Sequence, residues 1–81
     1  MRVQVRYFAA LREATGLAEE ALEVPAGTRV GELLALLEAR RPPVAAQRAS
    51  QRLAVGARFA GPEQCLADGD EVALLPPVSG G

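Results

Sequence analysis

The chain opens on strict alternation. In Arg2-Val3-Gln4-Val5-Arg6-Tyr7-Phe8 the side chains Val3, Val5 and Tyr7 fall on one face of an extended segment and Arg2, Gln4 and Arg6 on the other. That period of two predicts an N-terminal strand with one buried side. The same parity turns Phe8 toward the polar side, where an aromatic ring needs a partner. Residues 9–15 favour a short helix, with Gly16 placed to close it. A second alternating run, 20–24, predicts a strand with Leu22 and Val24 inward, ended by the turn Pro25-Ala26-Gly27. The period then changes. Val30, Leu33, Leu34 and Leu37 recur at i, i+3, i+4 and i+7 and predict one substantial helix, N-capped by Thr28, running to about Arg40 and halted by Pro42-Pro43. Arg40 and Arg41 fall at its C-terminal end, where positive charge complements the helix dipole. Residues 44–51 are Ala-rich and poorly patterned, and read as a loop with room for one helical turn.

Residues 52–55 and 58–60 read as two short strands around Gly56-Ala57, with Phe59 assignable to either core or surface. Leu66 is a candidate core plug, and Asp68-Gly69-Asp70 makes a turn in which Gly69 can take positive φ. The final strand is 71–75. If Val72 and Leu74 face the helix, Ala73 and Leu75 face outward. Beyond Leu75, Pro76 and Pro77 stop the strand and push the chain into an extended path. Val78, Ser79, Gly80 and Gly81 then form a flexible tail. Its last two residues lack side chains, so the backbone and terminal carboxylate can enter a slot too narrow for any other residue. The division is a domain of 1–75 and a tail of 76–81. Strand, strand, long helix and several short strands make an α+β fold, a mixed sheet of about five strands packed on one main helix.

Composition narrows the chemistry. Eighty-one residues make one domain, too small for a deep catalytic cleft with its own scaffold. A 49% apolar content without a long uncharged run describes a soluble protein with no membrane span or signal segment, expected in the cytoplasm. All nine basic residues are Arg, spread from Arg2 to Arg58, and the net charge is −1, so the basic footprint of a nucleic-acid binder is missing. With no His and no Lys, the usual general base, Schiff-base amine and nucleophile-activating imidazole are unavailable, and no metal site is expected. The lone Cys65 reads as a structural thiol, and Glu19-Glu20 and Asp68/Asp70 as turn and strand-edge charges. A segment around Gly27 and Gly31 is too short for either phosphate-binding glycine motif and reads as a turn into the helix. A chain so equipped does little chemistry itself. Either its Gly-Gly end is worked on by another protein's active site, or it is a trailing terminus with no role.

Three stretches together carry a family resemblance: Tyr7-Phe8-Ala9 followed by Leu11-Arg12-Glu13 and Gly16, then Leu66-Ala67-Asp68-Gly69-Asp70-Glu71-Val72, then Pro76-Pro77-Val78-Ser79-Gly80-Gly81. On these the chain resembles the ubiquitin-like β-grasp sulfur carriers, most closely the MoaD family of molybdopterin synthase small subunits. The resemblance implies that the first and last strands lie side by side and parallel at the centre of the sheet. It implies that Gly81 is adenylated by a ubiquitin-activating-type, MoeB-like adenylyltransferase using ATP and Mg²⁺, is converted to a thiocarboxylate by a sulfur donor, and delivers sulfur in the MoaE-like large subunit to the pyranopterin precursor of the molybdenum cofactor. No cofactor is expected on the chain itself. Combined with the parity above, the implied pairing puts Phe8 and Leu75 close together on the open face, with Phe59 as a third candidate for partner contact. Carriers for thiamine, tRNA thiolation or cysteine synthesis use the same end-group chemistry, and a ubiquitin-like modifier or an unmodified β-grasp interaction module would share the fold.

Overall fold

The structure, a computed structural model, describes residues 1–47 and 52–75. Along the chain these form β1 (Arg2–Tyr7), α1 (Ala9–Thr15), β2 (Glu19–Glu23), α2 (Val30–Arg40), α3 (Pro42–Ala46), β3 (Arg52–Val55), β4 (Arg58–Phe59) and β5 (Glu71–Leu75). The strands make one sheet in the order β2-β1-β5-β3-β4. β1 and β5 pair in parallel in its interior, and the remaining pairs are antiparallel. This is the mixed sheet and central parallel pair expected of a β-grasp fold.

Period-two burial explains how the layers meet. Val3, Val5 and Tyr7 of β1 and Val72 and Leu74 of β5 are all 1% exposed or less. They meet Leu33 and Leu37 of α2, Leu11 of α1 and Leu66 in one apolar cluster. Each such side chain contributes about 1.5–3 kcal/mol when fully withdrawn from water, so this face of the sheet is where the fold's stability is concentrated. The predicted stripe on α2 holds, with Val30, Leu33 and Leu37 buried and Leu34 packed partly against them.

Two expectations are corrected. Thr28 is not the helix cap, because its hydroxyl donates to the Pro25 carbonyl at 2.7 Å within the preceding turn. The helix starts one residue later, where Arg29 N–H donates to Glu32 Oε1 at 2.9 Å, so a carboxylate three residues on satisfies the first orphan donor. The described part of the stretch after α2, through Gln47, is also more regular than its composition suggests, while residues 48–51 of the predicted loop lie outside the described residues. Pro42 and Pro43 end one helix and begin another, since proline lacks only an N–H that a first turn does not need. Val44, read as loop, is fully buried in the core.

One close approach sets the entry to α2. Gly31 N–H donates to the Pro62 carbonyl at 2.9 Å, and a Cβ on Gly31 would stand 3.0 Å from Pro62 Cβ and 3.2 Å from its oxygen. Glycine lets the loop 61–66 lie against the helix start, where Val30 N–H to the Gln64 carbonyl and Leu66 N–H to the Thr28 carbonyl, both 2.9 Å, pin it.

Candidate functional site

The side chains of the sheet's other face fall into two unlike halves. Across β2 and β1 the register sets Arg2 opposite Glu23 and Arg6 opposite Glu19. The guanidiniums answer with ion pairs: Arg2 Nε to Glu23 at 3.2 Å, and Arg6 Nε to Glu71 at 3.3 Å and to Glu19 at 3.7 Å. Such exposed pairs add at most about 1 kcal/mol each, but they leave this half with its charges mutually satisfied.

Across β5, β3 and β4 the face is apolar. Ala54 pairs with Ala73 on one side and with Phe59 on the other, and Leu75 lies opposite Arg52. Two facing alanines make a low floor between taller side chains. The result is a shallow pocket of about 240 Å³ lined by Ala54, Ala57, Phe59, Glu71, Ala73 and Leu75. Its sharp β3–β4 turn runs through Gly56 at φ 55° and Ala57 at φ 68°, the left-handed pair that a two-residue hairpin requires. The Phe59 ring is 66% exposed, and the Arg52 guanidinium carbon stands 5.8 Å from its centroid, a cation–π distance.

Of the predicted contact residues, Leu75 and Phe59 are brought together in this pocket, while Phe8 is not part of its lining. The last β1–β5 pair is Tyr7 with Leu74, so Phe8, still extended at φ −130° and ψ 157°, occupies the next position, alongside Leu75. Its ring is exposed, and its carbonyl accepts from Leu11 N–H at 3.1 Å at the start of α1. Pro76, Pro77, Val78, Ser79, Gly80 and Gly81 lie outside the described residues. Leu75, on the pocket wall, is the residue from which they continue.

A cluster on the core side of β1 and β2 leaves no signal in the sequence. The buried Tyr7 hydroxyl donates to Glu20 Oε2, and Arg41 grips the same carboxylate with two bonds, Nη2 to Oε1 at 2.9 Å and Nε to Oε2 at 3.0 Å. The Arg41 hydrogen bonds outweigh burial and hold the Glu20 carboxyl below the usual carboxylate range. Burial, reinforced by Glu20, pushes the Tyr7 hydroxyl well above the usual phenol range. The Glu20 bonds also raise Arg41. The cluster joins β1, β2 and the end of α2. Asp68 and Asp70, also singled out, are turn fasteners: Asp68 accepts from Arg2 N–H and Asp70 from Ala67 N–H, each at 2.7 Å. Cys65 is exposed and unpaired, bridged through its backbone to Arg29. Among the described residues no group of His, Cys, Asp or Glu could hold a metal ion, and no helix is long and apolar enough to cross a membrane.

Comparison with known proteins agrees with the fold and supplies a family. The model described as the ThiS family matches residues 5–81. The molybdopterin synthase sulfur carrier subunit of Chlamydomonas reinhardtii is 36% identical over 83 residues, covering 100% of both chains. Among solved structures, small archaeal modifier protein 1 of Methanosarcina acetivorans superposes with a TM-score of 0.82 at 30% identity over 99% of this chain and 96% of that one. A complex of subunits 1 and 2 of the molybdopterin-converting factor from Helicobacter pylori contains a chain matching at a TM-score of 0.75 and 26% identity, with 100% of both chains covered.

Proposed function

The chain belongs to the ThiS family, and from that membership we propose that it is the sulfur-carrier small subunit of a molybdopterin synthase, not catalytic alone. The observation that carries this reading is the end-to-end likeness to a chain named as that subunit. The H. pylori complex, in which a similar chain is held by a second subunit, supports a large-subunit partner. Gly81 is the cargo site. A carboxylate is a poor electrophile until one oxygen becomes a good leaving group, so a MoeB-like adenylyltransferase using ATP and Mg²⁺ joins the carboxylate to AMP and releases pyrophosphate. A sulfur nucleophile then displaces AMP to leave a thiocarboxylate. The MoaE-like large subunit takes up the tail and passes that sulfur to the pyranopterin precursor. The division of labour fits a chain with no His or Lys, which lacks the groups to run these steps but needs none of them to carry a reactive end. The pocket that ends at Leu75, with Phe8 beside it, gives the partners a surface at the root of the tail.

The test is an intact mass after incubation with the adenylyltransferase, ATP, Mg²⁺ and a sulfur donor. A carrier gains the difference between sulfur and oxygen, and a chain extended by one alanine beyond Gly81 gains nothing. An unchanged mass for the native chain refutes the reading. The likeness to an archaeal modifier protein favours a second reading, conjugation of Gly81 to lysines of other proteins. Higher-mass adducts carrying a Gly-Gly remnant would establish it. With no lysine of its own, the chain cannot build lysine-linked polymers on itself.

A further inference from the structure

The charges around the open face are unevenly spent. Arg2 and Arg6 are committed to Glu23, Glu19 and Glu71, so Glu71, although it lines the pocket, offers its carboxylate to Arg6. Arg58 pairs with Val55, whose side chain is buried, and so belongs to the other face of the sheet. Among the described residues, Arg52 alone remains at the apolar half. Its backbone partner is Leu75, its guanidinium lies over Phe59, and it makes no ion pair with any described carboxylate. A guanidinium held over a ring by a cation–π contact keeps its N–H donors free for a planar acceptor, and the contact limits the side-chain freedom lost on binding. An apolar pocket whose described rim carries one unspent cation and no unspent anion is complementary to an apolar side chain flanked by a carboxylate.

We propose that Arg52 is the specificity-determining residue of this face: an apolar side chain of an acidic partner segment enters between Ala73, Leu75 and Phe59, and a neighbouring carboxylate of that segment takes the guanidinium held on the Phe59 ring. The proposal rests on the carrier reading, in which the segment belongs to the proteins that receive the tail. It commits the pocket to an acidic partner rather than to a second copy of this chain, whose matching patch would bring a second Arg52 to the interface and, among the described residues, no carboxylate free of an arginine to answer it. Lysine at this position would keep the charge but lose the planar, stacked fork.

The experiment titrates the full chain, native and as Arg52→Gln and Arg52→Lys, against purified large subunit and, separately, against purified adenylyltransferase, at low salt and near molar salt. A partly buried charge pair predicts that Arg52→Gln binds at least one of the two proteins roughly 10-fold more weakly at low salt. The gap closes to about 2-fold at high salt, Arg52→Lys falls between, and the melting temperatures stay together. Equal binding of Arg52→Gln and the native chain to both proteins overturns the proposal. So does a loss that is the same at both salts, which would assign Arg52 to packing on Phe59. Self-association of the native chain that Phe59→Ala abolishes also overturns it, by giving the pocket to a second copy. These results leave the carrier reading standing as long as the native chain gains sulfur in the mass assay; failure of that assay removes the carrier reading itself.

Discussion

Replacing Arg41 with methionine tests whether the Tyr7–Glu20–Arg41 cluster holds the fold together as its geometry implies. The change keeps most of the unbranched apolar stem and removes both bonds to Glu20. Glu20 is only 14% exposed at its side chain, so it is left as a largely buried carboxylate whose remaining described partner is the Tyr7 hydroxyl. Breaking a fully buried pair in this way costs about 3–5 kcal/mol. Arg41 is itself 34% exposed, so water takes up part of the loss and about 2 kcal/mol is the expected cost near neutral pH. For a domain of this size that lowers Tm by roughly 8–16 °C. The pH dependence is the sharper observation. In the native chain Glu20 has its folded pKa below the unfolded value, so its contribution is present above the ordinary carboxylate range and is lost as pH falls through the lowered folded value. Without Arg41 the dominant influence on Glu20 is burial, which raises the pKa, and the carboxyl takes up its proton readily in acid. Melts followed by circular dichroism should therefore lie far apart at neutral pH and converge below the ordinary carboxylate range. Adding Glu20→Gln to the variant should recover much of the neutral-pH loss, because the uncompensated charge is gone. A gap that does not change with pH, or no recovery in the double variant, would refute the assignment.

At the start of α2, Gly31→Ala should cost about 1–3 kcal/mol, because the new methyl meets Pro62 Cβ and carbonyl at distances neither can yield without moving loop 61–66; a denaturant midpoint equal to the native one would contradict it. In the β3–β4 turn, Ala57→Gly should stabilise by up to about 1 kcal/mol, since Ala57 is held at φ 68° with its Cβ against the following carbonyl. The same equilibrium measurement reads it. Leu75→Arg and Phe8→Ala should each weaken capture of the large subunit while shifting the melt little, as both side chains sit at the surface of the open face. A large stability loss with intact capture would count against their place at the interface.

What periodicity made legible was parity, and parity was enough to orient the two central strands. Val3, Val5 and Tyr7 against Arg2, Gln4 and Arg6 decides which side of β1 is core, and Val72 and Leu74 do the same for β5, so Leu75 could be placed on the open face before any pairing was visible. The pairing itself came from the resemblance, because no local pattern says that strands some sixty-five residues apart are neighbours and parallel. Local signals also failed where one residue type has two uses. Thr28 has the chemistry of a cap but spends its hydroxyl on Pro25, and Pro42-Pro43 is as good a start for α3 as a stop for α2. The Tyr7–Glu20–Arg41 cluster spans separations of 13 and 21 residues and leaves no periodic trace.

The pocket was the least legible part, and for a reason that bears on its use. It is made by side chains that are too small, Ala54 opposite Ala73, and alanine carries no pattern of its own. Sequence reasoning looks for large apolar residues and so found the walls, Leu75 and Phe59, but not the floor between them. A surface made only of protruding rings would bind many apolar partners with little discrimination. On the proposed docking, a recess of this depth would reject side chains that do not fill it, and the Arg52 cation at its rim would reject those without a neighbouring acceptor. The hydrophobic wall and the unspent charge would thus act on different errors: the first on partners of the wrong shape, the second on those of the wrong charge. Because Leu75 is both a wall of that recess and the last residue of β5, a partner accepted there would stand at the point where residues 76–81 begin.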